Sequence, residues 1–291
     1  MAFFSNYATL SYNGGTTNSN TVTGELLEAV SVTKTAVVES YTAREDVTYV
    51  ITMRNSGDTA VSGLTLTDDL GGYTFDGATV WPLAYVEGSM RLYVNGVLQA
   101  APTVTAGPPM VVAGLTVPAG GNITLVYETV ITEFAPLSAG SEIVNTASVA
   151  GTARLVDVTA SETIAAEERA ELYISKAVSP TTVAPNGQLT YTFVIENVGN
   201  TAAAAEEAAV LTDVFDPILE DLTVTFNGAA WAEGANYTYD ETSGVFTTLA
   251  GQITVPAAEY AQTPDGSWSV TPGTAELAIT GTVASAPQTA E

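Results

Sequence analysis

Lysine occurs only twice in these 291 residues, at Lys34 and Lys176, and histidine and cysteine are absent. Each lysine sits in a strand-like run, VSVTKTA or LYISKAV, fifteen residues before an equivalent tyrosine, Tyr49 or Tyr191. Without His or Cys, Ser-His-Asp triads, thiol chemistry, disulfides and the usual zinc sites are excluded. A desolvated lysine remains as a nucleophile. Alternation along a strand puts Val30, Val32, Lys34 and Ala36 on one face, and Leu172, Ile174, Lys176 and Val178 on another such face, so both lysines point with apolar residues. Asp68 follows Leu64 and Leu66 on one parity, and Asp213 follows Ala209 and Leu211. Asn145 shares parity with Ala147 and Val149, and Asn6 with Ala8 and Leu10.

Burial lowers a lysine pKa and raises that of a carboxyl group. A neutral amine beside an acid and an asparagine amide is therefore a reactive set. The amine attacks the amide carbon, the acid assists and ammonia leaves, with proximity supplying most of the rate. Asp68 and Asp213 are the candidate catalytic acids, and Lys34, Asn145, Lys176 and Asn6 the candidate cross-linking residues. The alternative is a buried Lys–Asp ion pair without chemistry, an arrangement that rarely adds stability. Asp69 stays open as the assisting acid in place of Asp68.

These residues lie in an internal repeat. TKTAVVESYTAREDVTYVITMRNSGDT matches SKAVSPTTVAPNGQLTYTFVIENVGNT, placing Lys34 on Lys176, Asn55 on Asn197 and Gly57 on Gly199. LTLTDDL matches AVLTDVF, YVNGVL matches TFNGAA, and ITLVYETV matches ELAITGTV, so that Val130 falls on Val283. Short alternating runs divided by Gly, Pro and Asn predict an all-β chain of two tandem immunoglobulin-like β-sandwiches. Helix is expected to reach no further than a turn or two around Ala203 to Ala209.

The ends of the two repeats differ. The first continues into SEIVNTASVAGTARLVDVTASETIAAEE, which reads as a closing hairpin. The second stops shortly after Val283, with no counterpart to VNTASVAG. A matching segment stands instead at the start of the chain, where Asn6, Ala8 and Leu10 align with Asn145, Ala147 and Val149, and Thr21 and Val22 with Thr163 and Ile164. A sandwich without its last strands exposes an apolar groove and an unpaired edge, and a lone hairpin is marginal in water. The expected organisation is a donor hairpin over residues 1–29, a first sandwich over 30–168, and a second, incomplete one over 169–291. Phe3, Phe4, Asn6, Ala8, Leu10, Tyr12 and Val22 would form the donor strands that complete a neighbouring copy. Being head-to-tail, such addition propagates into an open filament. Alternatively the hairpin folds back onto its own second domain.

The pattern TKT…VTYVITMRNSGDTAVSGLTLTDDL…GNITLVYETV…VNTASV resembles the extracellular repeat family labelled domain of unknown function eleven, found in bacterial and archaeal surface proteins. The chain order Lys, Asp, Asn is similar to that of the isopeptide-forming collagen-adhesin and pilin domains of Gram-positive bacteria. That resemblance implies a structural surface subunit, not an enzyme beyond its own cross-linking. It implies a Lys34–Asn145 bond assisted by Asp68 and a Lys176 bond to Asn6 of the next subunit assisted by Asp213.

The formal charge of −25 argues against nucleic acid or an anionic membrane as partner, and no run is long and apolar enough to span a bilayer. The opening MAFFSNYATLSYNGG lacks the basic and apolar regions of a signal peptide. The expected location is the outer surface of a cell or spore, with other copies of the chain as partners, no cofactor and no metal. A monomeric adhesin or ligand-binding module is the rival reading. For it, Asp68, Asp69, Asp76, Glu206 and Glu207 are the candidate cation ligands, although their spacing fits no EF-hand. Trp81, Trp231 and Trp268 would be its sugar-stacking residues.

Overall fold

The computed structural model describes residues 2–26, 30–151 and 158–284, with side-chain surroundings from Ser5 to Gly24 in the first segment. Almost all regular structure is β, and the one helical turn among the described residues is the 3-10 segment Ala205–Glu207. The chain is built as two tandem immunoglobulin-like β-sandwiches. Two compact units emerge, Met1–Pro136 with Ser141–Ala166, and Leu137–Gly140 with Glu167–Glu291.

In the first unit a two-sheet sandwich encloses a core. One sheet runs, in spatial order, Val97–Leu98, Arg91–Val94, Asn122–Ile131, Asp46–Asn55 and the lysine strand Val30–Ala36, with Leu83–Tyr85 pairing the far half of Asn122–Ile131. The other runs Val104–Thr105, Met110–Val117, the aspartate strand Val61–Asp68, the asparagine strand Glu142–Ala150, Val158–Ala166 and Ser40–Tyr41. Alternation sets what each strand buries. Along Asp46–Asn55 the inward set is Val47, Tyr49, Ile51, Met53 and Asn55, and along Asn122–Ile131 it includes Ile123, Leu125 and Tyr127. Side chains of period two facing one another across a sandwich make such a core.

The second unit repeats this plan with part of it absent. Its larger sheet runs Leu172–Ser179, Gln188–Asn197, Gly273–Val283, Leu219–Phe226 and Ala229–Trp231. Opposite the first unit's six-stranded second sheet it has three strands, Thr212–Val214, Val245–Thr248 and Tyr237–Asp240. The aspartate strand Val61–Asp68 is hydrogen-bonded on both edges, to Met110–Val117 and to Glu142–Ala150. Its counterpart Thr212–Val214 pairs, among the described residues, on one edge only, with Val245–Thr248.

The matched Asn-Gly motifs form equivalent hairpins. Asn95 and Gly96 have φ of 48° and 79°, and Asn227 and Gly228 have φ of 49° and 77°. Two successive positive φ values define the tight turn that suits twisted antiparallel strands, which explains the residue pair. The repeat alignment needs one correction. Tyr49 pairs with Tyr127, whereas its counterpart Tyr191 pairs with Ile279. ITLVYETV therefore matches AELAITGT rather than ELAITGTV, and Tyr127 corresponds to Ile279. A one-residue slip inverts every face assignment along a strand, so the correction moves Tyr127 onto the core side.

Near the N-terminus, Ala2–Asn6 pairs with Val22–Leu26 and Thr9–Tyr12 with Gly15–Asn18. Among the described residues these four strands have no other sheet partner.

Candidate functional site

Lys34 belongs to one sheet of the first sandwich, while Asp68 and Asn145 belong to the other. The lysine strand lies antiparallel to Asp46–Asn55, with Lys34 opposite Ile51 and Ala36 opposite Tyr49. Its inward positions Val30 and Lys34 are buried. Asp68 ends its strand opposite Ala147, two residues from Asn145 on the asparagine strand. All three residues are buried, as the shared parity with apolar neighbours requires.

Lys34 Nζ lies 2.7 Å from Asp68 Oδ2, and neither side chain has any solvent exposure. The Tyr127 hydroxyl donates a short hydrogen bond to the same Oδ2. The other carboxylate oxygen, Oδ1, accepts from the Leu70 N–H at 3.0 Å. The ammonium side of Lys34 also rests over the Tyr49 ring, 4.9 Å from its centroid, and the Tyr49 and Tyr127 rings stack 5.8 Å apart. Burial pushes the Lys34 pKa down, opposed by the charge and hydrogen bond of Asp68. Burial likewise pushes the phenols of Tyr49 and Tyr127 up, with the Asp68 charge adding to both.

Asn145 is the outlier. Its Nδ2 and Oδ1 are both buried with no hydrogen-bond partner, as is the Tyr49 hydroxyl. The amide is close enough to both phenols to favour their ionised forms, yet it hydrogen-bonds neither. Each buried polar group left unpaired costs about 1–3 kcal/mol, so an intact amide is an expensive resident of this cavity. Asp69 points elsewhere: its Oδ1 accepts from Gly71 N at 2.9 Å and Thr146 N at 2.8 Å.

The second unit carries half of this arrangement. Lys176 contacts Asp213 Oδ2 in a short ion pair and lies 4.3 Å from the Tyr191 ring centroid. Tyr191 stacks on Phe215 at 5.0 Å. The pair is open to solvent, with the Lys176 side chain 40% exposed where that of Lys34 is fully covered. Leu172 is 38% exposed where its counterpart Val30 is 1% exposed. Tyr173, Ile174, Val178, Val210 and Val214 are exposed as well. A groove of about 310 Å³ opens between the Leu172–Ser179 strand and the Ala209–Thr212 segment, floored by Ile195, Leu211 and Ile253.

Asn6 stands in the N-terminal hairpin opposite Val22 and is exposed. Ala8, Leu10, Tyr12 and Val22 are exposed too, while the side chains of Phe3 and Phe4 lie outside the described residues. Tyr127 escaped the sequence reading because of the register slip, although its parity with Ile123 and Leu125 points it inward. Asn55 and Asn197, aligned without a role, each pin a loop. Asn55 Nδ2 donates to Thr59 O and Val117 O, and Asn197 Nδ2 to Thr201 O and Pro256 O.

For the rival reading, Trp231 stacks on Phe226 at 4.8 Å. Among the described residues, no group of three or more acidic side chains gathers as a metal site would need.

No family model matches the chain, and no curated protein matches it. Solved structures similar to it include the major pilin subunit of Bacillus cereus, 14% identical, with 93% of this chain and 73% of that one covered at a TM-score of 0.36. The pilus backbone from Streptococcus pneumoniae is 12% identical, with 84% and 55% covered at 0.32. The collagen-binding domain from a Staphylococcus aureus adhesin is 13% identical, with 46% and 96% covered at 0.31. The chain thus spans about half the length of the pneumococcal protein.

Proposed function

We propose that this protein is the structural subunit of a filament on a cell or spore surface. Its copies join head-to-tail, the N-terminal hairpin of one completing the second sandwich of the next. Lys–Asn isopeptide bonds then lock the assembly, Lys34 to Asn145 within a subunit and Lys176 to Asn6 between subunits.

The observation that carries this reading is the contrast between the two sandwiches. Where the first has the asparagine strand beside Asp68, the second has a free strand edge at Thr212–Val214 and an exposed apolar groove. Exposed edges and grooves are the features that strand addition uses. The hairpin whose sequence matches the missing piece has no sheet partner beyond itself among the described residues.

The bond chemistry balances without an outside reagent. Neutral Lys34 Nζ attacks Asn145 Cγ, and its proton passes to Asp68. Asp68 returns the proton to Nδ2 as the Cγ–Nδ2 bond breaks, and ammonia departs. One amide replaces another, with no change of oxidation state. The bond also removes the unpaired Nδ2 and the buried charge of Lys34, so the costs that argue against the uncross-linked site favour the product.

The test is a gel of boiled, denatured protein beside its intact mass. A ladder of multimers, with the mass of one ammonia missing per bond, is expected. Monomers carrying the full calculated mass would overturn the cross-linking. Removing residues 1–24 should leave single subunits, and filaments persisting in that truncation would overturn donor-strand assembly.

A further inference from the structure

The two cross-linking sites differ at one core position, and this difference rests on the cross-linking reading above. In the first sandwich Tyr127 donates to Asp68 Oδ2, the oxygen that also holds Lys34. In the second sandwich the equivalent residue is Ile279, opposite Tyr191, which has no hydrogen to give. Asp213 Oδ2 there has Lys176 as its one donor among the hydrogen bonds of the described residues, and Oδ1 accepts from Val214 N at 3.0 Å.

We infer that Tyr127 is a positioning residue that loosens the grip of Asp68 on Lys34, and that its replacement by Ile279 makes the bond between subunits form later than the bond within each subunit. Two donors on one carboxylate oxygen divide its negative charge. Asp68 therefore holds the ammonium form of Lys34 less firmly, and the amine sheds its proton more readily before attack. The ionisable groups facing Lys34 are Asp68, Asp69 and Glu162, with the phenols of Tyr49 and Tyr127 beside them. Both phenols keep their protons because burial raises them, so Tyr127 stays a donor and Tyr49 offers a free hydroxyl beside the Asn145 amide. A second delay arises from exposure: Lys176 is hydrated until a donor hairpin covers it. The consequence is an order of events, in which each subunit is locked before it is welded to its neighbour.

The order is read from full-length protein made in a cell-free reaction and sampled over time, with intact mass counting ammonia lost and peptide mapping assigning each bond. Lys34–Asn145 should form before Lys176–Asn6. Tyr127→Phe should slow the first bond by roughly tenfold, the effect of one lost hydrogen bond to a charged group. It should also raise the pH at which that rate is half-maximal, because Asp68 then pairs Lys34 undiluted, and a purely structural role would leave this midpoint unmoved. Ile279→Tyr should speed the intersubunit bond, and this arm does not depend on how Tyr127→Phe folds. Equal rates and pH profiles for wild type and Tyr127→Phe, or no gain in Ile279→Tyr, would overturn the inference while leaving the cross-links in place. Wild-type protein that loses no ammonia would instead bring down the cross-linking reading, and this inference with it.

Discussion

Lys34 and Asp68 meet across the first sandwich at 2.7 Å with both side chains closed to solvent, whereas Lys176 and Asp213 make the same pairing at an open rim. Removing one partner of a buried pair leaves an uncompensated charge, at a cost of about 3–5 kcal/mol. Asp68→Ala should lose stability of that order by denaturant titration and retain its full calculated mass. A variant that sheds ammonia as wild type does would remove Asp68 from the chemistry.

Lys176→Arg separates docking from bonding. Arginine keeps the charge and much of the stem but does not shed its proton to attack. Filaments should form at near wild-type yield in electron micrographs and fall to single subunits when boiled in detergent. Boiled ladders persisting in this variant would place the intersubunit bond elsewhere.

The docked hairpin has an inner and an outer face. Val149 lies opposite Leu66 in the first sandwich, which transfers to Leu10 against Leu211 beside the groove. Leu10→Asp should abolish assembly measured by light scattering. Tyr7→Ser, on the opposite parity, should leave assembly intact, and equal effects from the two changes would contradict the register.

The Lys34 pKa lies below its ordinary 10.5 because of burial, and attack needs the neutral amine. Formation of the Lys34–Asn145 bond should therefore quicken as pH rises and level off below pH 10.5. Before the bond forms, the unfolded chain holds the Lys34 proton more tightly than the folded one. Stability should thus rise with pH between the lowered value and 10.5. The comparison of Asn145→Ala with Asn145→Ala/Lys34→Met isolates this effect, and a flat difference across that window would contradict it.

Gly199 tests the loop that Asn197 pins. The Gly199 N–H donates to Asn197 Oδ1 at 2.9 Å, and a Cβ there would sit 2.2 Å from Arg169 O and 2.6 Å from Glu171 N. Because backbone cannot step aside as a flexible side chain does, Gly199→Ala should cost about 1–3 kcal/mol. Trp231 and Trp268 report on this unit and Trp81 on the other, so early unfolding should appear in the first two alone.

Much of this protein was legible in the chain itself. Strand alternation around Lys34, Asp68 and Asn145 was enough to turn all three inward, because period two admits only two faces. The aligned repeats likewise exposed the missing hairpin, since absence of a segment is visible in one dimension. What needed the tertiary structure was pairing between strands distant in sequence. The register of Asn122–Ile131 against Asp46–Asn55 decides that Tyr127 joins Asp68 and that Ile279 takes its place in the second unit. A one-residue slip there costs a sequence comparison almost nothing, yet it reverses which side chains the core receives. Solvent access was equally hidden: Lys34 and Lys176 occupy the same place in the repeat. Only the strands packed around them make one lysine buried and the other open.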